Sequence, residues 1–346
     1  MYSLNRPLNA IREYLAKQQS AIYEVLSSQV ITPYAYQRKE IKGRGVYDAN
    51  SSSRRHFVVL LLFSGLPEQT PGLQEVVRQL FREELIDRQT DSFQGIGLNL
   101  EMLTYMLSRY QKEEDQALFE AAKVANFDCI CGYSWQAITV PPIETDLTTY
   151  TWQDILLLAE LLALPDISNQ VVDILQREKE EWTLEDLNFL RGHYLHMNDS
   201  KNECLVLKEI AALVKQEKGG WDGCCADIRY LEKLVLNKEY KEAKTVIVQL
   251  QNELPLAKED WYTWNPGKNF LEYVQEVIVL HQKQNEELED ENRALWEWSY
   301  PYLRQVGQMY GNLATKTAAS AKKFGETQYA EEVAARWARD LKEMGL

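Results

Sequence analysis

The stretch Trp221–Pro255, WDGCCADIRYLEKLVLNKEYKEAKTVIVQLQNELP, decides the fold. Apolar residues recur at three- and four-residue steps, first as Ile228, Leu231, Leu234 and Val235 and then as Ala243, Val246, Ile247 and Leu250. Asn237-Lys238-Glu239-Tyr240 interrupts them, so two amphipathic helices fold back on each other. A lone hairpin of this kind leaves one apolar face bare and is stable only when a neighbouring hairpin stacks on it. The pattern therefore predicts an all-α chain of stacked helical hairpins, an α-solenoid.

The hairpin resembles a tetratricopeptide repeat. Tyr240 and Ala243 stand where that family has an aromatic and a small residue opening its second helix, Ile247 falls at its later large apolar position, and Pro255 matches its closing proline. The first helix departs from the pattern, since Leu231 replaces the usual small residue and Tyr230 only approximates the preceding aromatic. The resemblance covers this hairpin alone. It implies a right-handed solenoid whose surface binds proteins or peptides.

Working outward, Thr151-Trp-Gln-Asp154-Ile155 and Thr183-Leu-Glu-Asp186-Leu187 repeat a Thr-x-x-Asp-apolar motif. Each Thr can cap its helix while the Asp three positions later reaches back to the cap. Second helices follow near 167–181 and 200–214. Towards the N-terminus, helices are expected over about 5–28, from Thr32-Pro33 onward, over the apolar run His56–Phe63, from Thr70-Pro71 to about Arg88, over 92–110 and over 113–126. Residues 43–53 read as a loop. Cys129–Leu147 breaks the rhythm, because Pro141-Pro142 forbids a continuous helix. It is either a domain boundary or a long connection within one solenoid, giving sections 1–128, 129–147 and 148–346. After Pro255, helices are expected over 269–285, 286–298, 300–324 and 327–344, broken at Pro301 and Gly325, with the last capping the stack.

Composition supports helix: 45% of residues are hydrophobic, with only 16 Gly and 10 Pro in 346. The net charge of −14 is uneven, since residues 1–150 hold 15 basic and 18 acidic side chains whereas 151–346 hold 23 and 34. An acidic field of this kind disfavours nucleic acid and anionic lipid and speeds encounter with a basic partner. Five cysteines without a disulfide framework, and a charged N-terminus unlike a signal peptide, predict a cytoplasmic protein. The run His56–Phe63 is far too short to span a bilayer.

Catalytic signals are sparse. His193 and His196 lie three apart on a predicted helix, a spacing that suits metal ligation, with Asp199 and Cys204 nearby. Cys129-x-Cys131 and the vicinal Cys224-Cys225 lack redox or zinc spacing, and Gly95-Ile-Gly97 lacks the rest of a nucleotide fingerprint. No metal or cofactor is expected. Aromatic residues beside acids are the stronger feature: Trp261, Tyr262, Trp264, Trp296 and Trp298, with Glu287, Glu289, Asp290 and Glu291, form the candidate surface for a basic protein partner. The competing reading is that these tryptophans lock the joint between the repeats and the C-terminal helices. The function expected from the sequence is a non-catalytic protein-binding module that neutralises or regulates its partner, like an immunity protein against a bacterial toxin. A peptide-sensing regulator or adaptor and a metal-dependent hydrolase using His193 and His196 are the alternatives.

Overall fold

The computed structural model describes residues 3–42, 45–91, 95–280 and 286–343, the side chains of 286–288 and 343 excepted. It is all-α apart from one short hairpin of strands and divides into two compact units, residues 1–180 and 181–346.

The first unit runs α1 (Asn5–Lys17), α2 (Gln19–Ser28), β1 (Arg38–Ile41), β2 (Gly45–Asp48), α3 (Ser51–Phe63), α4 (Leu73–Thr90), α5 (Leu98–Ser108), α6 (Gln116–Lys123), α7 (Phe127–Gly132), α8 (Trp152–Leu161) and α9 (Pro165–Glu178). Helix α3 is its centre. Phe57, Val58, Val59, Leu60 and Leu61 are consecutive and all buried, which a helix allows only when neighbours cover every side. Those neighbours are α4, α5, α8 and the 3-10 turn Thr32–Tyr34. The N-terminal helix is two helices broken at Gln18, and Thr32-Pro33 opens a single 3-10 turn rather than a helix. The expected loop at 43–53 holds β2, which pairs antiparallel with β1 just ahead of it so that Arg38 faces Asp48 and Ile41 faces Gly45.

That strand pair has a packing role, because it carries Asp48 to Arg54. The Arg54 guanidinium has no exposed surface and reaches Asp48 at 2.6 Å, Glu84 at 3.0 Å and Asp87 at 3.2 Å. Its Nη1 also donates to the Tyr34 carbonyl. Arg88 joins the cluster through Asp87 at 2.9 Å and Glu84 at 3.3 Å, and Asn99 donates to Glu84. One guanidinium thus ties β2, α3 and α4 together, its planar fork matching three carboxylates at once.

Segment 129–147 lies inside the first unit and not at its edge. Helix α1 packs on α8 and α9, so the chain closes on itself across this segment. Tyr133 is 1% exposed and shares a hydrogen bond with Thr104 at 2.8 Å, Lys123 donates to the Tyr133 carbonyl, and Ile143 is buried.

The second unit runs α10 (Leu184–His196), α11 (Ser200–Glu217), α12 (Gly220–Leu236), α13 (Tyr240–Ala257), α14 (Asn265–Leu280), α15 (Glu286–Gln305), α16 (Gly311–Lys323) and α17 (Thr327–Glu343). Helix α12 packs on α11, α13 and α14; α14 packs on α12, α15 and α16; α16 packs on α17. The first helices of successive hairpins therefore form a row, each with its own partner, an arrangement consistent with the helical-repeat class. Tyr329 and Val333 of the final helix are buried.

Local chemistry explains the regularity. Both Thr-x-x-Asp motifs form full capping boxes. The Thr151 amide donates to Asp154 at 2.8 Å and the Asp154 amide back to the Thr151 hydroxyl at 3.3 Å, while Thr183 and Asp186 repeat the pair at 3.1 Å each way. Four hairpin turns share one closing device. A residue with positive φ, Ala163 (53°), Asn198 (54°), Lys238 (62°) or Gly325 (84°), ends each first helix. The next amide then reaches back five residues, from Leu164 to Ala159, Asp199 to Tyr194, Glu239 to Leu234 and Glu326 to Ala321, at 2.8–2.9 Å. This left-handed cap satisfies carbonyls that the helix end leaves unpaired.

Two prolines sit differently from expectation. Pro255 lies within the last turn of α13 and Pro301 within α15, which continues to Gln305. Pro301 is on the exposed side, where the carbonyl deprived of its helical partner can turn to water. The break between α15 and α16 comes at 306–310, around Gly307. The expected helix over 269–285 spans Asn265–Leu280, and residues 281–285 lie outside the described ones.

Within the opening hairpin, Ala243 is fully buried and Lys241 exposed. Ala243→Leu is expected to cost about 1–3 kcal/mol by overpacking, and Lys241→Leu under about 0.5 kcal/mol. Urea melts of the two variants check this; equal effects would mean the helix faces the other way.

Candidate protein-binding surface

Helix α15 organises the aromatic and acidic residues by face. Asn292, Leu295, Trp296, Ser299 and Leu303 are buried and follow the three- and four-residue steps of one helical stripe. Trp298 and Tyr302, four apart, flank that stripe on the side of the short turn Trp261–Thr263. Their rings lie 5.8 Å and 4.9 Å from Trp261, and Phe270 of α14 meets Trp261 edge-on at 5.8 Å. Tyr300 flanks the other side, against Tyr329 at 5.2 Å, while Trp296 stacks on Phe324 at 5.9 Å. Such ring pairs add to the burial of their own large apolar area.

Trp261 is 0% exposed, and Gly267 is what admits it: a Cβ there would lie 2.0 Å from the Trp261 carbonyl oxygen. Trp261 and Trp296 are core residues, Trp298 and Tyr262 are half-buried, and of these five only Trp264, 50% exposed, presents its ring to solvent. Its indole N–H donates to Asp260 at 3.2 Å, and the Lys258 ammonium sits 3.8 Å over its ring. A shallow hollow lined by Asp260, Thr263, Trp264, Asn265 and Pro266 adjoins it.

The carboxylates lie elsewhere. Glu289, Asp290 and Glu291 are exposed near the start of α15, with Glu291 paired to Lys244 at 2.6 Å and Glu289 4.0 Å from Lys323. The Glu287 side chain lies outside the described residues. Among those described, Asp290 and Glu297 have no ion-pair partner, and their seven-residue spacing sets them on one line of the exposed face. Tyr262 marks the opposite end of the helix, its hydroxyl donating to Gln305 at 2.9 Å. The acids at 289–291 are therefore about 20 Å from the Trp264 end, at 1.5 Å per residue. The two segments of the candidate surface thus lie towards opposite ends of α15.

The remaining chemical candidates disperse as well. His193 is buried against Tyr194 while His196 is exposed, Asp199 caps α11 through the Asn202 amide, and Cys204 is buried. Among the described residues no group of three or more His, Cys, Asp and Glu could hold a metal ion. All five cysteines are free, and burial pushes the Cys224 thiol up to about 11, which keeps it protonated and unreactive at neutral pH. Among the described residues no helix is long and apolar enough to cross a membrane.

No family model, no curated protein and no solved structure matches the chain.

Proposed function

We propose that the protein is a non-catalytic, cytoplasmic protein-binding module of the helical-repeat type, whose second unit docks a basic protein and thereby neutralises or regulates it, as an immunity protein does its toxin. One observation carries this reading: α15 turns its aromatic side chains inward and the carboxylates of Glu289, Asp290, Glu291 and Glu297 outward. The aromatic core makes the helix a rigid support, and the exposed acids outnumber the exposed Arg293 and Arg304 on it, so its outer face is net negative. A preorganised charged face of this kind attracts a basic partner over several ångströms and fixes its register. The chain's charge of −14 accords with the same reading.

The test is kinetic. Replacing Glu289, Asp290, Glu291 and Glu297 by Gln is expected to lower the association rate about tenfold at low salt and to flatten its salt dependence. The variant should stay folded with a modest loss in melting temperature: all four carboxylates are exposed, although Glu291 and Glu289 face the mostly buried Lys244 and Lys323. Surface-plasmon measurements against a partner captured from lysate and identified by mass spectrometry check this. An unchanged association rate would move the interface off α15.

A further inference from the structure

The Lys258 ammonium has two aromatic walls. It lies 3.8 Å over the Trp264 ring and 5.5 Å over that of Trp221, the second residue of α12. Cations are drawn to indole faces by the ring quadrupole, and more strongly where two rings exclude water from the charge. The clamp is open to exchange, because Trp264 is half in solvent and Trp221 only partly buried. Lys258 follows the last residue of α13, and no carboxylate is in salt-bridge contact with it among the described residues. Its ammonium is thus held by ring faces alone. Two exposed acids lie close in sequence to the rings: Asp222 follows Trp221, and Asp260, four residues before Trp264, accepts from its indole.

We propose that Trp221 and Trp264 form a receptor for a lysine-type cation of a basic partner, and that Lys258 is an internal occupant which the partner's side chain displaces. The inference rests on the basic-partner reading above but assigns a different place, at the far end of α15 from the acids at 289–291. Lys258 acts as a competitor tethered to the site, so an incoming cation gains only the difference between the two occupants. Removing the tether therefore strengthens binding, an effect opposite to that of deleting an ordinary contact residue.

Tetramethylammonium is the probe, with tert-butanol as its neutral counterpart, and the readout is the set of indole N–H cross-peaks in two-dimensional NMR. Trp264→Phe and Trp221→Phe assign the two peaks. In Lys258→Gln the probe is expected to shift both peaks with an affinity about tenfold better than in the wild type, tert-butanol leaving them unmoved. Adding Trp264→Ala to Lys258→Gln should abolish the response; the ring is half exposed, so the fold is retained. Equal responses in wild type and Lys258→Gln, or shifts confined to other tryptophans, would overturn the proposal. The small probe needs no partner, so a failed clamp with intact partner capture refutes this inference alone. Loss of partner capture with a working clamp refutes the functional reading alone.

Discussion

Replacing Trp261 by alanine is expected to lower the stability of the protein by about 3–5 kcal/mol, the range for truncating a large aromatic in a core. The ring is fully buried and meets the rings of Tyr262, Phe270, Trp298 and Tyr302, so its loss leaves a cavity among them. Collapse is restricted because Gly267 already packs directly against the Trp261 backbone. Trp264→Ala, three residues on, should change stability by no more than about 0.5 kcal/mol, since its ring is half in water. Urea melts of the two variants separate the roles. If Trp261→Ala melts like the wild type, the residue is not the lock between α14 and α15.

The second large effect concerns Arg54. Arg54→Ala is expected to destabilise the first unit by about 3–5 kcal/mol, because it strands buried carboxylates without their cation. Asp48, Glu84 and Asp87 have side chains 0–1% exposed, and only Arg88 would remain to face them. Arg54→Lys should recover little, since one ammonium cannot copy a fork that reaches three acids. A pH signature accompanies this cluster. Burial, and then the charge of Glu84, push the Asp87 carboxyl up to about 6 against the pull of Arg88 and Arg54. The folded state therefore binds that proton more tightly than the unfolded chain does. Asp87 destabilises the fold above pH 6, and the penalty is relieved as pH falls towards 4. Asp87→Asn should flatten this part of the stability profile, measured by thermal melts from pH 4 to 8.

What was legible in the sequence was local. The capping boxes at Thr151 and Thr183, the hairpin around Asn237–Tyr240 and the amphipathic α17 rest on interactions within a few residues, and each forms as its pattern implies. The β1–β2 pair escaped notice because its residues, Arg38–Ile41 and Gly45–Asp48, lack apolar alternation. It is held by a buried charge at Arg54, 30 and 33 residues from Glu84 and Asp87. Pro301 reads as a helix stop in the sequence, yet α15 continues through it on the exposed face, where the carbonyl without a helical partner is accessible to water. The roles of the candidate aromatic residues were hidden for a third reason. Trp261 and Trp264 look alike in sequence, and only tertiary packing makes one a core residue and the other a surface ring.

The claim that the outward carboxylates of α15 select a basic partner is tested most directly by quantitative affinity capture. Wild-type protein and the Glu289, Asp290, Glu291, Glu297 to Gln variant, shown by melting to be equally folded, are incubated with the same lysate at low salt. Retained proteins are then compared by mass spectrometry. A basic protein is expected to be enriched on the wild type and at least about tenfold depleted on the variant, following its slower association. Capture of the same protein in equal amount by both would contradict it.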